Sequence, residues 1–371
     1  MGTAEIESAQ LGREHAAEAQ TSAAEAWKES ALLVLGTRIL FLLVAFGGAW
    51  LLASTTGPLR DGFFDIWTRW DARHFLQVAQ FGYTDAATDP HATAFFPLFP
   101  LGIAGLTGVG LTPAAAGMLI AAGATLVACA FLYRLADEDF GLGAGRRAVL
   151  YLLVFPTAVF LIAPYSEALF LAGAVPAFYY ARRGRWLLVA LPVAVAMGAR
   201  AAGIFLLLGL AAEFLRARDF AGRTVRNAVV ALAAGIAPLV AYSAYLAAVK
   251  GDAFYFLVDQ REGWHRDFVG PVQSLMNSLD LTTSADSPTN WILTWRLEIV
   301  AAAIGLGLVA WAASRREWGY AVYMGSMMAA LLTSTWYFSI PRMLLSMFPA
   351  VLLLASLTGS PRRHEVALLV L

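Results

Sequence analysis

Residues 95–111, FFPLFPLGIAGLTGVGL, are apolar enough to be counted as a membrane span, and whether they cross decides the direction of every later segment. Pro97 and Pro100 each lack a backbone N–H and interrupt a regular helix. In lipid, a lost backbone hydrogen bond has no water to replace it. The basic residues bear on the same question independently. Arg134/Arg146/Arg147, Arg182/Arg183/Arg185, Arg216/Arg218/Arg223/Arg226, Arg315/Arg316 and Arg362/Arg363 mark alternate loops. The positive-inside rule places such loops in the cytoplasm. They all fall on one side only if residues 95–111 do not cross. We therefore expect an interfacial or re-entrant piece within a large first outer loop.

The rest of the chain follows from that choice. Of 371 residues, 59% are hydrophobic and only 14% charged, and mean hydropathy is +0.65. Soluble domains carry about 25% charged residues, so lipid is the main solvent. A crossing helix needs about 20 apolar residues. The clear runs are 31–53, 113–135, 227–249, 291–313, 320–336 and 343–357. Four shorter segments lie between 148 and 215, breaking at 163–167, at 182–185 and near 198–203; they suggest two helical hairpins. The expected architecture is an all-α polytopic cell-membrane protein with about ten transmembrane helices. Residues 1–30 form a cytoplasmic tail and 31–371 a single membrane domain. Residues 54–112 form the first outer loop, which carries interfacial helices, and 250–290 the second. The tail lacks the basic start of a signal peptide, and Ile6 breaks the myristoylation pattern. Formal net charge is zero, which gives no electrostatic basis for a nucleic-acid partner. The single cysteine, Cys129, sits in an apolar run and is expected to pack there.

Chemistry concentrates in the first outer loop. At helical spacing Phe64, Trp67, Trp70, Asp71, His74, Phe75, Val78 and Phe81 share a face, with Arg69, Arg73, Gln77 and Gln80 opposite. Such a helix would lie on the membrane surface with Trp at headgroup level. Asp71 and His74 stand where periodicity asks for apolar side chains. A carboxylate there needs a partner or a task. It either caps a turn or pairs with Arg73 or a neighbouring helix, or it acts as a general base at the water–lipid boundary. His74 suits a hydrogen-bonded helix orienter. Asp61 and Asp65 are weaker candidates, and Asp85, Asp89 and His91 are expected in solvated turns.

Two arginines belong to the same side. Arg200 lies at a hairpin apex and Arg342 at the start of a run. An Arg in mid-bilayer costs about 2.5–3.5 kcal/mol, so each either snorkels to the interface or holds an anion such as a phosphate. Glu167 either complements a helix N-terminus or binds sugar hydroxyls together with Tyr165. The second outer loop offers Tyr255, Asp259, Arg261, Glu262, Trp264, His265, Arg266 and Asp267, suited to sugar or acceptor contacts or to a solvated surface. The five histidines show no His-x-x-x-His spacing, and a metal-independent, cofactor-free reaction is expected.

Residues 69–83, RWDARHFLQVAQFGY, followed by AFFPLFPL at 94–101, resemble the PIG-V family of mannosyltransferases, whose eukaryotic members add the second mannose of the GPI anchor. Further similarity lies in FPTAVF at 155–160 and PYSEALF at 164–170. It continues in GARAAG at 198–203, with Ala201 and Ala202 where the family has Ser and Asn, and in Pro341-Arg342 with Phe348-Pro349. The resemblance implies a GT-C fold and an inverting transfer from a polyprenyl-phosphate sugar, most simply mannose, at the outer face. The acceptor would be a glycan, glycolipid or protein, reached from a site bathed by membrane lipids. It implies Asp71 as the catalytic base, with Arg73, His74, Tyr83, Tyr165, Glu167, Arg200 and Arg342 contacting substrate. Two alternatives are a GT-C enzyme using another sugar and a transporter or flippase of a lipid-linked substrate. Transporters place polar groups near mid-membrane and often carry inverted repeats. Here the polar residues gather on one side and no repeat is evident, which favours an interfacial enzyme.

Overall fold

Apolar runs set where helices form, and Pro, Gly and charged residues set where they stop. The computed structural model describes residues 21–56, 66–283 and 289–370. Among them the extended pairing is one isolated bridge, Phe268 to Ser334, and the regular structure is helical, as expected. In chain order the helices are α1 (Ala23–Thr56), α2 (Asp71–Phe81), α3 (Leu98–Thr107), α4 (Pro113–Phe140) and α5 (Ala144–Leu153). Then come α6 (Glu167–Arg182), α7 (Ala190–Ala199), α8 (Gly203–Ala217), α9 (Gly222–Lys250), α10 (Tyr255–Trp264) and α11 (Pro271–Thr283). The chain continues through α12 (Thr289–Ser314), α13 (Trp318–Leu332), α14 (Ile340–Ser346), α15 (Pro349–Leu357) and α16 (Pro361–Val370).

Helix length separates two classes. Four helices, α1, α4, α9 and α12, are long and apolar enough to cross a membrane; α14 and α15, bent by 77° at their junction, make a fifth if they act as one span. The expectation of about ten spans is therefore met by length in four or five. Helices α5 to α8 and α13 have 10 to 16 residues. At 1.5 Å per residue they reach roughly 15–24 Å, short of a hydrocarbon core of about 30 Å. Within residues 95–111, α3 is a ten-residue helix beginning after Pro97, shorter than a hydrocarbon core is thick.

The core sits around α6, which packs against α4, α7 and α8. Its approach to α7 requires Gly173, because a Cβ there would lie 2.4 Å from the Pro192 carbonyl oxygen. Helix α4 starts on a conventional cap, with Thr112 Oγ1 accepting from Ala115 N at 3.3 Å and Pro113 in the first turn.

Several expectations need correction. For residues 1–30 the sequence suggests a solvated tail or a loose surface helix; the described part, 21–30, is helical from Ala23 and packed. Helix α1 already begins at Ala23, capped by Ser22 Oγ, which accepts from Glu25 N at 3.1 Å. Thr21 donates to Asp137 on α4, and Ala26 and Ser30 are buried. Residues 1–20 lie outside the described residues. The face from Phe64 to Phe81 is not one helical stripe. Trp70 adopts φ 52°, which ends helical geometry there, so α2 starts at Asp71. Its buried face is Ala72, Phe75 and Val78, while Trp70 and Phe81 are exposed and Phe64 lies outside the described residues. The second outer loop is mostly helix, α10 and α11. It docks on the first: buried Asp259 of α10 accepts from Thr93 N at 3.1 Å and from the Thr93 hydroxyl, and lies 3.3 Å from His91 Nδ1. His91 is thus a tie between loops, not part of a free turn.

Candidate active site

Side chains from four distant stretches meet at the N-terminal end of α6. The chain turns at Pro164 and begins α6 at Glu167, which is fully buried. Glu167 Oε1 accepts from Arg200 and from Arg342 Nε. The far arm of Arg342 donates to Asp71 Oδ2 at the start of α2. The result is a continuous chain of charge, Asp71–Arg342–Glu167–Arg200. Arg200 leaves the end of α7 in extended geometry and also lies 3.4 Å from Ser166 Oγ. The Arg342 guanidinium rests against the rings of Phe160 at 4.6 Å and Tyr165 at 4.8 Å. Tyr165 is fixed in turn by donating to the Arg69 carbonyl at 2.8 Å.

Arg342 is placed by a cap supplied from another helix. Ser339 has φ 64°, and Pro341 occupies the first turn of α14. The two exposed amides at that start, Ser339 N and Ile340 N, donate to the two oxygens of Glu298 on α12, at 2.8 and 2.7 Å. Glu298 is buried in a largely apolar helix whose other charged residue is Arg296. Its sequence signal was that position alone: an acid inside a span needs a local reason.

Asp71, Arg200, Arg342 and Ser166 line an open cavity of about 470 Å³. Much of the remaining lining is apolar and aromatic, including Phe95, Phe96, Phe256, Trp264 and Phe338. Arg266, Asp267 and Gln260 from the second outer loop complete it. Burial and the neighbouring Arg342 and Arg200 pull the Arg266 guanidinium below its ordinary pKa, while Asp71 and Glu298 oppose them.

The remaining expected site residues stand behind this lining. His74 stacks on Phe95 with ring centroids 4.7 Å apart and meets Trp264 edge-on at 5.8 Å. Burial holds its imidazole below the ordinary pKa, against Asp89 and Asp71, which favour the proton. Tyr83 donates to the Phe95 carbonyl at 2.6 Å and packs on Tyr242, and burial pushes its phenol up. Both support the aromatic wall without facing the cavity. Arg73 is exposed and away from the lining. Asp61 and Asp65 lie outside the described residues. Among the described residues no three His, Cys, Asp or Glu side chains converge as a metal site. The Asp-x-Asp triplet of the chain, Asp137-Glu138-Asp139, lies at the end of α4 and is committed to protein contacts. Asp137 accepts from Gly145 N at 2.7 Å, and Glu138 and Asp139 pair with Arg183 and Arg182.

With this geometry in view, the comparisons with known proteins are specific. The family described as Mannosyltransferase (PIG-V) matches residues 52–240, which include Asp71, Glu167 and Arg200. The chain belongs to the PIG-V mannosyltransferase family. Mouse GPI alpha-1,6-mannosyltransferase 2 is 37% identical over 165 residues, covering 41% of this chain and 32% of that protein. The protein of the same name from Cricetulus griseus is 36% identical over 159 residues (39% and 31%), and the human one is 35% identical over 159 residues (39% and 31%). The matched stretch thus spans about a third of the length of these curated relatives. No solved structure matches. In this PIG-V family member Arg266, Glu298 and Arg342 lie C-terminal to the matched segment, yet Arg342 pairs with two residues inside it.

Proposed function

We propose that this chain is an integral membrane mannosyltransferase that takes its sugar from a polyprenyl-phosphate donor at the extracytoplasmic face. The observation that carries the proposal is the convergence of Asp71 with Arg342 and Arg200 on one cavity whose lining is otherwise largely aromatic and apolar. A lipid-linked sugar phosphate asks for those surfaces: cations for the phosphate, an apolar flank for the first isoprene units, and a carboxylate near the sugar. The orientation rests on the arginine-rich loops, which the positive-inside rule assigns to the cytoplasm. The Asp71 cluster lies at the opposite end of α6 from one of them, residues 182–185.

The reaction would be one displacement with inversion. The acceptor hydroxyl oxygen bonds to the anomeric carbon as the bond from that carbon to the phosphate oxygen breaks. Asp71 takes the hydroxyl proton, and polyprenyl phosphate departs with the bonding electron pair. Arg200 and Arg342 stabilise the charge that accumulates on the phosphate in the transition state. His74, Tyr83 and Tyr165 act at one remove, by fixing Phe95 and the Arg342 guanidinium.

The test is a transfer assay in proteoliposomes with labelled polyprenyl-phosphate-mannose, polyprenyl-phosphate-glucose or GDP-mannose, and a total membrane glycolipid and glycan extract as acceptor. Label should move from the mannosyl phospholipid alone. Asp71→Asn should lower that rate by roughly 10²–10⁴-fold, the usual weight of a general base. Transfer from GDP-mannose without lipid donor, or full activity in the variant, would overturn the proposal. Preference for the glucosyl donor would keep the fold of the reaction and replace the sugar.

A further inference from the structure

Two of the three arginines facing the cavity already have anionic partners. Arg342 pairs with Asp71 and Glu167, and Arg200 with Glu167. Arg266 differs. Among the described residues it has no carboxylate within ion-pair distance, and its side chain makes one hydrogen bond, Nη2 to the Phe338 carbonyl at 3.4 Å. It nonetheless lines the same cavity.

Arg266 is not on a loose loop. Its own N–H donates to the Gln260 carbonyl at 3.1 Å, after a left-handed residue, His265, at φ 53°. The segment that follows is clipped to the turn ahead of α14. Asp267 N donates to Thr335 Oγ1 at 3.0 Å, the Thr335 hydroxyl donates to the His265 carbonyl at 2.7 Å, and Val269 N donates to the Thr333 carbonyl at 2.9 Å. The same turn leads into Arg342. Residues 266 and 342 are therefore presented by one braced unit.

A guanidinium held partly out of water without an anion carries an unrepaid desolvation cost. The formal charges of the group balance, three positive (Arg200, Arg266, Arg342) against three negative (Asp71, Glu167, Asp267), but Arg266 is the arginine without an ion pair among the described residues. A phosphodiester carries one negative charge, and the planar fork of Arg suits two of its oxygens. We propose that Arg266 docks the phosphate of the lipid-linked donor. The proposal deepens the function given above and rests on it.

Purified protein in detergent, followed by tryptophan fluorescence, tests this with three probes: polyprenyl phosphate, the matching polyprenol, and inorganic phosphate. Wild type should bind polyprenyl phosphate more tightly than polyprenol. Arg266→Gln should lose about tenfold to a hundredfold of that affinity, the weight of one charged hydrogen-bonded pair. Its affinity for polyprenol and its unliganded melting temperature should be unchanged. Arg266→Lys should fall between, and in turnover the loss should appear mainly in KM for the donor and little in kcat. Wild-type polyprenyl phosphate affinity in Arg266→Gln would overturn the inference while leaving the transferase reading intact. So would equal losses for polyprenol, which would mark a structural role. Should Arg266→Gln fail to fold, undiminished donor affinity in a folded Arg266→Lys would overturn it. A wild-type protein that does not distinguish polyprenyl phosphate from polyprenol would sink the donor reading itself. Binding of inorganic phosphate as tight as that of the lipid would overturn the lipid headgroup in favour of a free anion.

Discussion

The two ends of α6 each carry a buried ionic cluster, and they differ in what is left over. At the C-terminal end Arg182 donates to Asp139, to Glu317 and to Tyr320 Oη at 2.9 Å, and its Nε lies 3.3 Å from Glu213. The Tyr320 ring stacks on the same guanidinium at 4.6 Å. Arg216 holds Glu213 from the other side at 3.0 and 3.1 Å. All three Arg182 nitrogens are engaged, the carboxylates outnumber the arginines, and none of these groups lines the cavity. The N-terminal end is left incomplete. Arg266 has no carboxylate within ion-pair distance among the described residues, Glu167 Oε2 has no hydrogen-bond partner among them, and the cluster opens into the cavity. Burial and charge alone do not mark a site. A saturated, closed network fastens helices to one another, whereas an unsaturated, open one with an arginine lacking an anionic partner is prepared for an anion.

Substitutions at the two ends of α6 should separate these roles. Glu167→Gln has the largest expected effect. It leaves two guanidiniums facing each other without their shared anion, so it should cost about 3–5 kcal/mol of stability and also abolish transfer, read by thermal melting and the donor assay. Arg182→Gln should cost a comparable amount of stability by stranding Glu317 and leaving Asp139 and Glu213 without the cation they share. The protein that remains folded should keep its KM for the donor. A changed KM there, or an unchanged melting temperature in Glu167→Gln, would erase the distinction between the clusters.

The smallest effect concerns His74. Burial lowers its pKa in the folded protein, so the unfolded chain binds more protons between that lowered value and about 6.5. Stability should therefore be complete above that window and fall as pH falls through it. His74→Gln should flatten the acid slope of the melting temperature. A slope identical to wild type would mean that His74 does not stay neutral against Phe95.

Much of the scaffold was legible because it is local. A short helix begins after Pro97, and breaks at 163–167, 182–185 and near 198–203 became the ends of α6, α7 and α8. The error at Phe64–Phe81 was also local in origin: periodicity does not register that Trp70 adopts a left-handed φ. Hydropathy counts apolar runs and suggested about ten spans, whereas four or five helices are long and apolar enough to cross on their own. Asp71, Arg200, Glu167 and Arg342 stood out individually as polar groups in apolar settings. That Glu167 is the pivot joining both arginines was invisible, since residues 71, 167, 200 and 342 share no sequence period. Arg266 and Glu298 were harder still. Arg266 was one of several charged residues in a polar loop, and Glu298 acts on backbone amides 41 and 42 positions away.

The central claim is that lipid-linked sugar phosphate is received at the Glu167 end of α6 and not at the Arg182 end. Photo-crosslinking with a polyprenyl-phosphate-mannose carrying a diazirine in its first isoprene unit, followed by peptide mass spectrometry, addresses it directly. Label is expected on the peptides around Phe95–Phe96 and Ala199–Phe205, competed away by polyprenyl phosphate and diminished by Arg342→Ala. Label concentrated near Asp139, Arg182 or Glu317, or label at the cavity indifferent to that competitor, would contradict it.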